Sequence, residues 1–149
     1  MADIFQQQYD TLTSVMTTEL NSLANNARAI ASSAQGGDAS DAKLQADFEL
    51  VVTFGTNPTL DSTIDLYLVR AVDGTPNYED GDASVRPNPS AFVGSFPLRA
   101  VTTGQRIVLR DVPLPPGLWK AVLHNNASGQ SFAASGNTLK IRTHNLQVA

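Results

Sequence analysis

The chain contains no cysteine. This excludes disulfide staples, a thiol nucleophile and thiolate metal ligation. Histidine is nearly as scarce, with only His124 and His144. They share no H-x-x-x-H spacing, and no G-x-S-x-G elbow accompanies them, so neither a paired-histidine metal motif nor a serine-hydrolase signature is present. Walker, dinucleotide and zinc-finger patterns are missing as well. No apolar stretch reaches the length that spans a membrane. Bases are outnumbered, 10 Lys and Arg against 14 Asp and Glu, and a net charge of −4 is not the footprint of a nucleic-acid binder. The first ten residues carry Asp3 and no apolar run of signal-peptide type, which predicts a protein made and kept in a reducing cytoplasm.

With 42% apolar and 16% charged residues, the 149-residue chain is too apolar for disorder. It is long enough for one domain with a sizeable core, held by packing or by neighbours since no staples exist. The clearest pattern is Lys43 to Phe54, KLQADFELVVTF. Leu44, Ala46, Phe48, Leu50, Val52 and Phe54 alternate with Lys43, Gln45, Asp47, Glu49, Val51 and Thr53. A period of two places the first set on one face of a strand, and that face needs a second layer to cover it.

Further strands follow. STIDLYLVRAV (62–72) sets Ile64, Leu66 and Leu68 against Asp65, Tyr67 and Val69. AFVGSFPLRAV (91–101) places Phe92, Phe96 and Leu98 on one face; Pro97 lacks a ladder donor and marks an edge strand or a bulge. QRIVLRDV (105–112), LWKAVLH (118–124) and TLKIRT (138–143) complete six strands, with Trp119, Ala121 and Leu123 as an inward set. Turn signals separate them, as in a sandwich, jelly roll or small barrel. Residues 1–15 read as an arm or short helix, because Ile4, Phe5, Tyr9, Leu12 and Val15 fall near a 3.6 period. A helix continuing to about residue 33 competes with two short strands near 16–23 and 27–34, joined by a turn at Asn25-Asn26; weak helix formers favour the strands.

All acids except Asp111 lie within residues 1–82, where the only bases are Arg28, Lys43 and Arg70. Residues 83–149 carry Arg86, Arg99, Arg106, Arg110, Lys120, Lys140 and Arg142. Cross-strand pairing inside one domain accounts for this asymmetry, and head-to-tail assembly of copies is the competing reading. The loop from Asp73 to Pro89 holds Asp73, Asn77, Glu79, Asp80 and Asp82, but its spacing fails the EF-hand pattern. A solvated turn is the simpler account. Asn126-Ala-Ser128 is a formal glycosylation sequon that doubles as turn chemistry. Tyr78 and Trp119 are the only side chains considered for a sugar platform, and a lone Trp at strand spacing is more often core.

Several segments resemble a recurrent family of small tailed-bacteriophage virion proteins. They are ADFELVVTFGTNPT (46–59), IDLYLVRAVDGTPNYEDGD (64–82), FVGSFPLRAVTTGQRIVLRDVPLPPGLWKAVLHNNASGQSFAASGNTLKI (92–141) and, more faintly, TTELNSLANNARAIASSA (17–34). Pro76 interrupts the family's DGTNY word, and an insert precedes Ala91. The resemblance implies a β-sandwich or jelly-roll accessory protein that decorates or cements a phage head, and it favours strands over helix at 16–34. The resulting expectation is an all-β, antiparallel sandwich or jelly-roll-like single domain at 16–149, preceded by an arm or short helix at 1–15. Its function would be a non-catalytic capsid decoration protein in the virion. The alternatives are a tail or head–tail connector protein, or a receptor- or glycan-binding β-sandwich module. The expected partners are the major capsid protein and other copies of the chain, with no nucleic acid and no membrane. No catalytic, cofactor or metal residue is assigned, and no cofactor. The interaction residues are Ile4, Phe5, Tyr9, Leu12, Tyr78 and Arg86.

Overall fold

The computed structural model describes residues 5–36, 43–73 and 77–148. Ten strands run through them: β1 (Phe5–Tyr9), β2 (Thr13–Met16), β3 (Arg28–Ile30), β4 (Gln35–Gly36), β5 (Gln45–Val52), β6 (Thr63–Ala71), β7 (Phe92–Pro97), β8 (Gln105–Pro113), β9 (Leu118–Asn126) and β10 (Thr138–Val148). Two antiparallel sheets form a sandwich. The first has the order β1-β10-β5-β8 and the second β3-β9-β6-β7. Two long strands organise their edges. β10 receives β1 along its C-terminal half and β2 along its N-terminal half, and β9 receives β3 and then β4 in the same way.

The alternation in β5 produces its inner face directly, with Ala46, Phe48, Leu50 and Val52 fully buried. Leu139 and Ile141 of β10 extend that face. Opposite lie Ile64, Leu66 and Leu68 of β6 and Trp119, Ala121 and Leu123 of β9, in one continuous core. Burying a side chain of this size contributes about 1.5–3 kcal/mol. β7, the strand with Pro97, is the edge of its sheet, where a missing ladder donor is tolerated.

The asymmetry of charge is partly consumed inside the chain. Arg106 of β8 stands 3.4 Å from Glu49 of β5. Arg28, a base of the acidic half, is held instead by backbone: it donates through Nε to the carbonyl of Asp82 (3.3 Å) and through Nη2 to that of Ser84 (3.0 Å).

Five local expectations need correction. The segment 1–15 is neither a free arm nor a short helix over the described residues. β1 lies along β10, from Phe5 opposite Val148 to Tyr9 opposite His144. The open edge of the long β10 offers unpaired N–H and C=O groups, and closing that row outweighs the marginal helical preference of so short a segment. A boundary at residue 15 also divides β2, whose Val15 and Met16 are buried in the core. At 16–34 only β3 lies within the proposed pair of strands. Thr18–Leu20 is a 3₁₀ turn, and Leu20 and Leu23 enter the core from irregular chain held by Ser22 N–H to Ala133 O (3.0 Å) and Phe132 N–H to Leu23 O (3.0 Å). The Asn25-Asn26 turn is present, with Asn26 at φ 61°.

Phe92 does not share the inner face of Phe96 and Leu98. A register shift between Leu66 and Tyr67 turns it outward, where it is 45% exposed with its ring 5.5 Å from that of Tyr67. Leu44 precedes β5 and is 70% exposed, because the alternation holds only where the ladder does.

Candidate functional site

The sequence-predicted interaction residues fall on opposite sides of the sandwich. Tyr9 lies at the end of β1 on the outer face of the first sheet. Its ring packs 4.9 Å from that of His144, and the Arg142 guanidinium sits 4.6 Å from its centroid. Arg142 is fixed there by donating through Nε to Asp10 O at 3.0 Å. Leu12, in the turn that follows, is 42% exposed. Ile4 lies outside the described residues, as does the side chain of Phe5.

Tyr78 and Arg86 belong to the long loop, which folds over the outer face of the second sheet. Beneath it a second apolar cluster forms from Tyr67, Val69, Ala91 and Val122. Tyr78 lies under the Lys120 ammonium, 5.3 Å from the ring centroid, and Arg86 is exposed. The loop's acids hold the loop and tie it to β6. Glu79 accepts from Arg70 N–H at 3.1 Å. Asp82 accepts from Ser84 N–H (2.6 Å) and Val85 N–H (2.7 Å), and these bonds hold its carboxyl below the ordinary range. Asn77 Nδ2 donates to Asp73 at 3.2 Å. Among the described residues these side chains do not converge on a common point that would hold Ca²⁺.

The sequon asparagine is also committed. Asn126 Nδ2 donates to Asp65 Oδ2 at 2.8 Å, while Asp65 Oδ1 accepts from Thr63 (2.8 Å) and Ser95 (2.7 Å). Three donors thereby satisfy a carboxylate that is only 7% exposed. His124, opposite Asp65 on β9, is held below its ordinary pKa mainly by burial, so it stays neutral near pH 7. Trp119 is buried in the core and offers no sugar platform.

Sequence reasoning missed the end of the sandwich around Pro113–Gly117. Here the prolines halt β8, and Leu114 N–H bonds Leu44 O at 2.9 Å. Leu44 is thus tied to the turn with its side chain exposed. Val72, 80% exposed, follows Ala71, which is opposite Leu118 at the far side of the same turn. Beside them runs an open cleft of about 300 Å³, lined by Leu68, Ala91, Val93 and the 113–116 turn, with Arg70 and Glu79 on its polar side. The signal available in sequence was the PLPP word next to two aliphatic side chains at strand ends.

Only one group among the described residues brings three metal-ligating side chains together: Asp47 of β5, Asp111 of β8 and His144 of β10, on the outer face of the first sheet.

No protein-family model and no curated protein matches the chain. Among solved structures it is similar to the CBM36-1 domain of a multidomain xylanase from the hindgut metagenome of Trinervitermes trinervoides. The TM-score is 0.51 at 14% identity, covering 95% of this chain and 98% of that one. A carbohydrate-binding module CBM36 in complex with calcium and xylotriose aligns with a TM-score of 0.47 at 11% identity, covering 97% and 100%. At such identity the first likeness establishes the shared β-sandwich architecture over nearly the whole chain.

Proposed function

We propose that this chain is a non-catalytic β-sandwich that acts by docking on a protein lattice, as a decoration protein of a virion. The observation that carries this reading is the apolar end at Pro113–Gly117. Leu44 and Val72 stand exposed near the proline turn, which also lines a cleft of mixed character with Leu68 and Val93 on one side and Arg70, Glu79 and Ser90 on the other. Exposed aliphatic side chains rimmed by polar residues are a feature of protein-contact surfaces. The lattice is suggested by the resemblance of residues 46–59, 64–82 and 92–141 to small phage virion proteins; no family model, curated protein or solved structure matched to the chain adds to it.

A second reading is a glycan-binding module. It is supported by the architecture shared with the xylanase's CBM36-1 domain. Sugar platforms rely on accessible aromatic rings. Here Tyr78 is covered by Lys120, whereas Tyr9 (39% exposed) and Phe92 (45% exposed) keep part of their rings accessible.

One paired experiment separates the two. The purified chain is bound to bare phage heads and, in parallel, to a glycan array. The lattice reading expects saturable binding to heads that Leu44→Asp or Val72→Asp weakens at least about tenfold, the loss of roughly one buried aliphatic contact. Both positions are exposed, so the variants fold. Binding to glycans alone, abolished by Tyr78→Ala or Tyr9→Ala, establishes the second reading and overturns the first.

A further inference from the structure

His144 is completely buried although it projects from the outer face of the first sheet. Neither of its ring nitrogens has a hydrogen-bond partner among the described residues. A buried polar group in this condition costs about 1–3 kcal/mol, so it calls for an explanation. Its Nε2 points between two carboxylates, 3.4 Å from Asp111 Oδ1 and 3.7 Å from Asp47 Oδ1. The ligand atoms of the three residues all lie within 4.8 Å of one another.

These separations have a natural meaning. Ligand atoms bound to one tetrahedral ion at about 2.0–2.1 Å lie roughly 3.3 Å apart. The two distances from His144 come close to that value, and the three side chains could close on one ion by small rotations.

The donor set selects the class of ion. One imidazole and two carboxylates suit Zn²⁺ and its first-row neighbours, whereas Ca²⁺ and Mg²⁺ take oxygen ligands. The supports are already in place. Asp111 N–H donates to Asp47 Oδ1 at 2.9 Å, which orients that carboxylate from outside as second-layer bonds do in metal sites. The Tyr9 ring packs on the imidazole and limits its rotation. Arg142, whose backbone is opposite Asp47, is drawn away to Tyr9 and Asp10 O and does not neutralise the carboxylates. Asp111 is 61% exposed at its side chain, so the ion would face solvent on one side and keep a position open for water or for an outside ligand.

We propose that Asp47, Asp111 and His144 bind a divalent first-row transition-metal ion of the Zn²⁺ type, holding β5, β8 and β10 together. This does not depend on the partner the protein docks to. The test uses the full chain, stripped with a chelator and titrated separately with Zn²⁺, Co²⁺, Ca²⁺ and Mg²⁺. Zn²⁺ and Co²⁺ raise the melting temperature, Co²⁺ acquires the visible absorption of a tetrahedral site, and Ca²⁺ and Mg²⁺ leave melting unchanged. His144→Gln risks misfolding because the residue is buried. Asp111→Asn does not, since the position is exposed and its φ of 53° suits asparagine. In that variant metal-free melting matches the parent and Zn²⁺ affinity falls at least about tenfold. A parent chain whose melting ignores Zn²⁺ and Co²⁺ overturns the proposal. An undiminished Zn²⁺ response in Asp111→Asn overturns it equally.

Discussion

Phe48 of β5 and Trp119 of β9 meet edge to face across the sandwich, with ring centroids 6.2 Å apart at 63°. One comes from each sheet, and both are buried. Truncating a buried Phe costs about 3–5 kcal/mol, so Phe48→Ala is expected to lower the stability measured by urea unfolding by that amount. Glu49→Ala, one residue on and facing outward, removes only the partner of Arg106 and is expected to cost at most about 1 kcal/mol. Equal losses for the two would contradict the assigned faces.

Asn125 ties two turns together from inside. Its Nδ2 lies within bonding distance of the carbonyls of Leu23 (3.2 Å), Ala24 (3.1 Å) and Gln130 (2.8 Å). Around it, Asn25 Oδ1 accepts from Gly129 N–H and Asn26 Oδ1 from Ala127 N–H. Asn125→Ala strands those carbonyls, and a loss of about 1–3 kcal/mol is expected. Hydrogen exchange should speed up first at residues 20–27 and 127–133. A uniform increase over the whole chain would speak against a local clamp.

Glu19 links the turn at Thr18–Leu20 to the end of β3. Burial raises its pKa, but hydrogen bonds from Ser32, Thr17 and its own backbone outweigh that and lower it from 4.5 to about 2. The folded state thus binds the proton more weakly than the unfolded chain. The resulting stabilisation is complete above about pH 4.5 and disappears as pH falls toward 2. The difference in stability between the parent and Glu19→Gln is expected to shrink through that window in acid titrations. A difference independent of pH between 5 and 2, on the order of that window, would show that the carboxylate's charge is not what matters.

Removing residues 2–15 takes away β1 and most of β2 and leaves one side of β10 unpaired. It also strips Val15 from the core and Tyr9 from His144. The truncated chain is expected to melt well below the parent and to self-associate through the bared edge, read by light scattering. A truncated monomer with parental melting would return the segment to the status of an independent arm.

Alternation is a local property, and it made much of this fold legible in the sequence. The buried face of β5, the inward set Trp119, Ala121 and Leu123, and the edge position of Pro97 all follow from side-chain direction and donor count within a few residues. The Asn25-Asn26 turn follows from the tolerance of asparagine for positive φ. Tertiary structure decided what covers the outward faces. Tyr67 and Val69 are buried because residues 77–91 fold back over them, and a register shift sends Phe92 outward, so neither outcome is encoded in the alternation of β6 or β7 alone. The meeting of Asp47, Asp111 and His144 was equally invisible. Those residues lie on three separate strands, and only the register of β5 against β8 and β10 brings them to one point. Pairing energy is set by residues far apart in the chain, and no short window of sequence contains both partners.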